Sequence, residues 1–208
     1  MILYDYFRST ACYRVRIVLN LKNIAYEKRD VSLVNNGGEQ NHPEFKKINP
    51  QGLVPCLDIN GRIINQSLAI IEYLDELFPE IPLLPEDPVT KATLKSLALI
   101  VACDMHPLNN LRVLNRLREQ FSANEEQIQN WYHHWLRTGF DAFETQLNSL
   151  PRSKSVCFGQ EISLADVCLV PQVYNAKRFN FPLDDYPLIT EINDYCLGLP
   201  PFQNASPK

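Results

Sequence analysis

The chain has 208 residues, 45% of them hydrophobic and 21% charged, with a formal net charge of −4 at pH 7. Such a composition suits a globular protein long enough to bury a core, as one large domain or two small ones. The small negative charge leaves no footprint for nucleic acid or an anionic membrane surface. No apolar run approaches the ~20 residues that cross a bilayer. Asp5 and Arg8 interrupt any secretory leader, so the expected location is the cytoplasm.

The first eighty or so residues alternate strand and helix. Ile2-Leu3-Tyr4 forms a short apolar strand that runs into a turn holding Arg8, Ser9 and Thr10. A helix with apolar Val15, Val18 and Leu19 begins near Ala11. Ala25–Leu33 reads as a second strand, closed by the breaker cluster Asn35-Asn-Gly-Gly38. A short helix over Pro43–Lys47 precedes the turn Asn49-Pro-Gln-Gly52 and a third strand ending at Ile59. Asn60-Gly61 is a hairpin signal, so 62–65 should pair antiparallel with that strand. Ser67 then serves as the expected N-cap of an amphipathic helix carrying Leu68, Ile71, Leu74 and Phe78. The order β-α-β-α-β-β-α is thioredoxin-like.

Pro79, Pro82, Pro85 and Pro88 mark a linker, and beyond it the pattern is wholly helical. Asp87-Pro88 opens a long helix with Leu94, Leu97, Ala98, Val101, Met105 and Leu108 on its apolar side, bent at Pro107. Ser122-Ala-Asn-Glu125 reads as a capping box for a helix through Trp131, Trp135 and Phe143, which stops before Pro151. Ser163-Leu-Ala-Asp166 starts another, with Pro171 inside it and its end near Phe179, and a last helix begins at Pro187. The expected fold is an α/β thioredoxin-like amino-terminal domain, residues 1–83, followed by an all-α domain, residues 89–208.

Ser9 and Thr10 sit where a helix starts, beside unpaired N–H groups and the positive end of a dipole. That place stabilises an anion, and a thiolate is one. Ser and Thr are also the commonest caps, so the pair by itself indicates no more than a helix start. Six cysteines (Cys12, Cys56, Cys103, Cys157, Cys168 and Cys196) include no C-x-x-C pair, which points to reduced, mostly buried thiols and no metal site. Ser9-x-x-Cys12 has the spacing of a thioredoxin pair without its first cysteine, so disulfide exchange is not expected. Val54-Pro55 opens a buried hairpin strand, an odd place for proline unless the bond is cis. Gln66-Ser67 stands at a helix start. His106 and Asn110, and likewise Asn109 and Arg112, are spaced one turn apart on the expected long helix. Arg178 is a cation at a helix C-terminus.

The segment Tyr6-Phe-Arg-Ser-Thr-Ala-Cys-Tyr-Arg-Val-Arg-Ile-Val-Leu19 resembles the Ser-Ser-Cys-x-Trp/His-Arg-Val-Arg-Ile-Ala-Leu signature of the zeta-class glutathione transferases. The thioredoxin-like-then-helical order extends that resemblance over essentially the whole chain. The resemblance implies that Ser9, with Thr10 beside it, holds the sulfur of glutathione as a thiolate. Ala11 stands at the family's cysteine, Cys12 falls one position later, and Tyr13 replaces the Trp or His. It further implies that Val54, before Pro55, pairs its backbone with the cysteinyl unit of glutathione. Gln66 and Ser67 would hold the γ-glutamyl carboxylate, Gln40 and Gln51 would add contacts, and His106, Asn110 and Arg112 would lie near the cofactor. Arg8, Arg112 and Arg178 would take a small acidic substrate, while Arg14 and Arg16 serve ion pairs or a dimer surface. The implied activity is glutathione-dependent cis–trans isomerisation of maleylacetoacetate in tyrosine and phenylalanine catabolism, by a homodimer. Maleylpyruvate isomerisation, general glutathione transfer and a non-catalytic interaction scaffold are the alternatives.

Overall fold

A computed structural model describes residues 1–207. They form two compact units, Met1–Pro82 together with the chain from Leu199 onward, and Leu83–Gly198. The break near residue 83 falls where the prolines cluster. The last residues, expected within the helical domain, group instead with the first unit.

In the first unit, β1 (Ile2–Asp5), β2 (Glu27–Asp30), β3 (Cys56–Ile59) and β4 (Arg62–Asn65) form a mixed sheet in the order β2-β1-β3-β4. β1 runs parallel to β2 and antiparallel to β3, and β3 pairs antiparallel with β4. Side chains alternate across this sheet. Tyr4 and Cys56, paired across β1 and β3, join Cys12, Val31, Phe45 and Val54 in one core cluster. Leu3 and Leu57, paired one residue along, are wholly buried on the opposite face. Asn60 and Gly61 both have positive φ, 52° and 86°, the geometry of a two-residue hairpin turn. β2 is shorter than expected: all four of its residues are exposed, and the ladder to β1 closes where the Val31 N–H meets the Asp5 carbonyl at 2.8 Å.

Helix α1 (Thr10–Leu21) is capped by Ser9, and α2 (Pro43–Ile48) and α3 (Ser67–Leu77) complete the thioredoxin-like order. The buried Lys22 ammonium, just past α1, donates to the Phe78 and Ile81 carbonyls and pairs with Asp75 at 2.8 Å. A cation thus meets the carbonyl at the C-cap of α3 and one in the chain just beyond it.

The second unit begins with α4 (Pro88–Leu99), whose N-cap is Asp87 as expected. Its continuation differs from the expected long bent helix. Residues Ile100–Met105 form a wider π-helical turn, and the chain leaves helical geometry at Pro107. Proline offers no N–H to the preceding turn, so the helix ends there instead of bending. Asn110 then caps a separate helix, α5 (Leu111–Phe121), that the sequence pattern did not resolve. Ser122 closes α5 in left-handed geometry, so the next capping box is Asn124 with Gln127. From it runs α6 (Glu125–Leu147). Helix α7 (Leu164–Arg178) is buried nearly all round and keeps Pro171 inside it. Asp166 accepts from the Ser163 N–H, the Ser163 hydroxyl and the Cys157 N–H at 2.6–2.8 Å. Helix α8 (Pro187–Leu197) follows, and Phe140, Phe181 and Tyr186 pack ring against ring in this unit's core. The chain ends in α9 (Pro200–Ala205), a short helix not expected from the sequence that lies against α1. Among the described residues no helix is long and apolar enough to cross a membrane, and no cluster of His, Cys, Asp or Glu is built for a metal.

Candidate active site

The site begins at the turn between β1 and α1. Ser9 has extended backbone (φ −69°, ψ 121°), and its oxygen accepts the Cys12 N–H at 3.2 Å. The Ser9 N–H in turn donates to the Tyr6 carbonyl at 2.9 Å. Ser9 is half-buried and Thr10 buried, while Arg8 stays exposed with its guanidinium 4.9 Å from the Phe7 ring. Cys12 is wholly buried, and its sulfur accepts the Tyr6 N–H at 3.5 Å. Burial, with Asp5 adding to it, pushes the Cys12 thiol far up, against the smaller opposing pull of Ser9, Tyr6 and Arg16. Cys12 is therefore a neutral, inaccessible group, and the anion-stabilising equipment at this helix start belongs to Ser9 and its neighbours.

The second element is the loop before β3. Buried Asn49 ties it from within, donating to the Leu53 carbonyl at 2.7 Å and accepting the Gln51 N–H at 3.1 Å. Val54-Pro55 is cis, and Val54 lies outside the β1–β3 ladder, which starts at Cys56. Gln40 lies on the same side of the unit. A Cβ on Gly52 would stand 2.9 Å from the Gln40 carbonyl oxygen, and one on Gly38 would stand 2.6 Å from the Gln40 side-chain nitrogen. At Gly52 the neighbour is backbone, so glycine there is what lets these two segments approach so closely. The Gln40 Oε1 is buried without a hydrogen-bond partner among the described residues.

The third element is the start of α3, where the expected cap shifts by one residue. Gln66, not Ser67, is the N-cap; it adopts φ 72° and ψ 122° and makes no side-chain capping bond. A residue with a Cβ occupies that region at a cost of about 1–3 kcal/mol, the kind of conformation found at binding sites. Ser67 is the first helical residue, and its hydroxyl accepts from the buried Arg14 guanidinium at 3.3 Å. The Gln66 amide reaches Gln51 Oε1 at 3.0 Å, which links this element to the loop before β3. The leading N–H groups of α3 thus have no side-chain cap, and a guanidinium stands behind them. That combination suits a carboxylate. A ligand carrying both a thiol and a carboxylate, with amide groups between, fits a site so equipped. The family resemblance assigns Arg14 to an ion pair or a dimer surface, and only the fold brings it to Ser67.

The candidates of the second unit do not share one helix face as their spacing suggested. The His106 N–H closes the π turn onto the Val101 carbonyl at 2.9 Å. Asn109 is buried and donates to the Tyr132 carbonyl at 3.2 Å. Asn110 caps α5 by accepting the Arg112 N–H at 3.1 Å, and the Arg112 side chain is exposed. Pro107 is the physical reason, since it splits His106 from Asn110. Arg178 ends α7 exposed, donating to Asn175 at 3.0 Å with its guanidinium near the Tyr174 and Phe179 rings.

Comparison with known proteins places this arrangement in a family. Residues 3–82 match the family profile described as glutathione S-transferase, N-terminal domain. A probable maleylacetoacetate isomerase of Vibrio cholerae is 47% identical over all of this chain and 96% of its own length. A maleylpyruvate isomerase of a Ralstonia species is 44% identical over all of this chain and 97% of its own. Among solved structures, a glutathione S-transferase from Legionella pneumophila is 67% identical, with each chain fully covered and a TM-score of 0.90. The holo structure of a maleylpyruvate isomerase, a zeta-class bacterial glutathione S-transferase, is 43% identical over all of this chain and 97% of that one, with a TM-score of 0.96. The maleylacetoacetate isomerase of Anaeromyxobacter dehalogenans 2CP-1 is 36% identical over 99% of this chain and 93% of that one, with a TM-score of 0.84. It holds dicarboxyethyl glutathione and citrate in its active site, and another structure of it holds glutathione there. The chain is a member of the glutathione S-transferase family, in its zeta class.

Proposed function

We propose that this protein is a glutathione-dependent cis–trans isomerase that converts maleylacetoacetate to fumarylacetoacetate, a step of phenylalanine and tyrosine breakdown. The observation that carries the reading is the pairing of two helix starts in one unit. Ser9 stands at the head of α1 beside a thiol held neutral, and the uncapped start of α3 is backed by Arg14 and Ser67. When bound, glutathione supplies a thiol that adds to the cis double bond and leaves again once the bond, single in the interval, has turned.

The chain's own residues prepare and hold that chemistry. Ser9 rotates its hydroxyl proton toward the incoming sulfur, and the α1 N-terminus adds positive potential there. A thiol titrates at ~8.5, and a drop of one or two units, about 1.4 kcal/mol each, leaves much of it ionised at pH 7. Thr10 assists from the next position. Gln66 and Ser67 present the α3 N–H groups to a carboxylate, Val54 offers its main chain beside Pro55, and Gln40 offers its unpaired Oε1. The family resemblance assigns His106, Asn110 and Arg112 to the tripeptide as well. Arg8, Arg112 and Arg178 take the substrate's carboxylates, a task suited to the planar guanidinium fork. No protein nucleophile is required, which accords with alanine at the family's cysteine position.

Maleylpyruvate is the second reading, favoured by the 44% identity to an enzyme named for it. The same reading carries a cytoplasmic location and a homodimer, the second of which light scattering of the purified protein checks. The deciding measurement is the glutathione-dependent loss of maleylacetoacetate absorbance, with maleylpyruvate run in parallel. Turnover of one or both is expected. Intact protein that turns over neither would sink the isomerase.

A further inference from the structure

Three polar side chains spaced i, i+3 and i+7 on α1, Tyr13, Arg16 and Asn20, all donate to main-chain carbonyls of the last helix. The Tyr13 hydroxyl reaches the Phe202 carbonyl at 3.3 Å, Arg16 Nε the Ala205 carbonyl at 2.9 Å, and Asn20 Nδ2 the Pro201 carbonyl at 3.0 Å. A six-residue helix leaves its final carbonyls without intrahelical partners, and α1 supplies donors to two of them, Phe202 and Ala205. Phe202, wholly buried, anchors α9.

Arg16 does something further with the rest of its fork. Nη1 pairs with the buried Asp5 carboxylate and lies 3.5 Å from the Tyr6 carbonyl, and Nη2 donates to the Phe7 carbonyl at 2.9 Å. The Tyr6 carbonyl also receives the Ser9 N–H. One buried guanidinium therefore grips both carbonyls of the turn that presents Arg8 and Ser9, and its remaining nitrogen is held by the end of α9. The fork is rigid, so holding Nε fixes the plane in which both Nη groups point.

We propose that Arg16 is a positioning residue for Ser9, and that α9 is the strut that orients it, so that the far end of the chain fixes where the Ser9 hydroxyl stands. This rests on the assignment of Ser9 as the thiolate partner. α9 touches no reacting atom in this scheme; it acts through Arg16 and the Tyr6 carbonyl alone. A lysine at position 16 keeps the charge against Asp5 but cannot bridge four acceptors in a plane.

The test uses the full-length protein and glutathione. Difference ultraviolet spectra, protein with glutathione minus protein alone, follow the thiolate band of bound glutathione against pH. The parent midpoint should lie below the ~8.5 of a free thiol. Arg16→Lys and Phe202→Ala, each with parental far-ultraviolet circular dichroism, should raise the midpoint by about half a unit or more, which is about a three-fold loss of thiolate. Their kcat should fall in step, with the KM for glutathione changing less than about two-fold. Asn20→Ala, which severs one strut bond remote from the turn, should give a smaller rise in the same direction. A merely structural role would lower the folded fraction and leave the midpoint alone. Should Arg16→Lys not fold, Phe202→Ala and Asn20→Ala carry the test, since neither alters an atom of the turn. Parental midpoints in every folded variant would overturn the strut while leaving Ser9 in place; a parent midpoint equal to that of free glutathione would overturn both.

Discussion

Replacing Ser9 perturbs two interactions at once, and the structure shows how to separate them. Its oxygen caps α1 by accepting the Cys12 N–H at 3.2 Å, and its hydroxyl proton is the proposed donor to the bound sulfur. Ala at an N-cap costs about 0.5–2 kcal/mol of stability, whereas Gly costs only a few tenths. A hydrogen bond to a charged group contributes about 1.5–3 kcal/mol, which is roughly one to two pKa units of the thiol. With a parent midpoint one to two units below that of a free thiol, losing the bond cuts the thiolate fraction at pH 7, and with it turnover, about 8- to 25-fold in both Ser9→Ala and Ser9→Gly. Their stabilities should differ, with Ser9→Gly near the parent. Steady-state rates with saturating glutathione, set beside urea midpoints, measure both effects. Thr10→Ala should lose less activity than either. If Ser9→Gly turned over like the parent, or if rates tracked urea midpoints across the pair, the donor role would be wrong and Ser9 would be a cap only.

Other outcomes follow from the same structure. Asp166→Ala orphans three buried donors and should cost about 3 kcal/mol or more at pH 7 in a denaturant titration. Burial raises the Asp166 carboxyl, so its stabilising contribution is full below the unfolded value of about 3.9 and declines as pH rises through the folded one. The gap to the alanine variant should therefore widen as pH is lowered toward 4, and a gap that narrows would reverse the sign. Of the six thiols only Cys103 is exposed, and burial pushes Cys56 up to about 11 and Cys12 still higher. At pH 8 a disulfide reagent should thus label about one thiol per folded chain quickly and all six after denaturation; rapid labelling at Cys12 would contradict its burial. Arg178→Lys should raise the KM for the acidic substrate about ten-fold with little change in that for glutathione, and an unchanged substrate KM would remove Arg178 from the site.

Sequence reading succeeded where chemistry is local. Asn60-Gly61 fixes a hairpin because few residues other than asparagine and glycine accept positive φ in succession, and Asp87-Pro88 and Ser163-x-x-Asp166 start helices with atoms only three residues apart. It failed where two local signals compete. Ser67 looks like a cap, but Arg14, fifty-three positions earlier, takes its hydroxyl and leaves the boundary to Gln66. Ser122 and Asn124 both resemble caps, and left-handed geometry at Ser122 ended one helix before Asn124 began the next. The apolar spacing from Leu94 to Leu108 reads as one helix bent at Pro107, whereas the helical run stops just before that proline, because a residue without an N–H can end a helix as readily as bend it. The family resemblance singled out Ser9, Val54, Gln66 and Ser67 and assigned Arg14 and Arg16 to ion pairs or a dimer surface; Arg16 does pair with Asp5, but the further bonds of the two arginines were not legible. Their partners, Ser67 and Ala205, are distant in sequence.

The return of α9 to the first unit also bears on the order in which the protein is made. The second unit is an insertion in the first as far as chain connectivity goes, since the residues from Leu83 to Gly198 lie between two parts of one compact body. Domains form from the amino terminus as synthesis proceeds at about 5–20 residues per second. The sheet and α1 are therefore complete while the carbonyls that Tyr13, Arg16 and Asn20 will grip do not yet exist, for an interval of roughly 7–28 s. During that interval apolar α1 surface meant for Phe202 stands open, and the enzyme's first helix waits for its last.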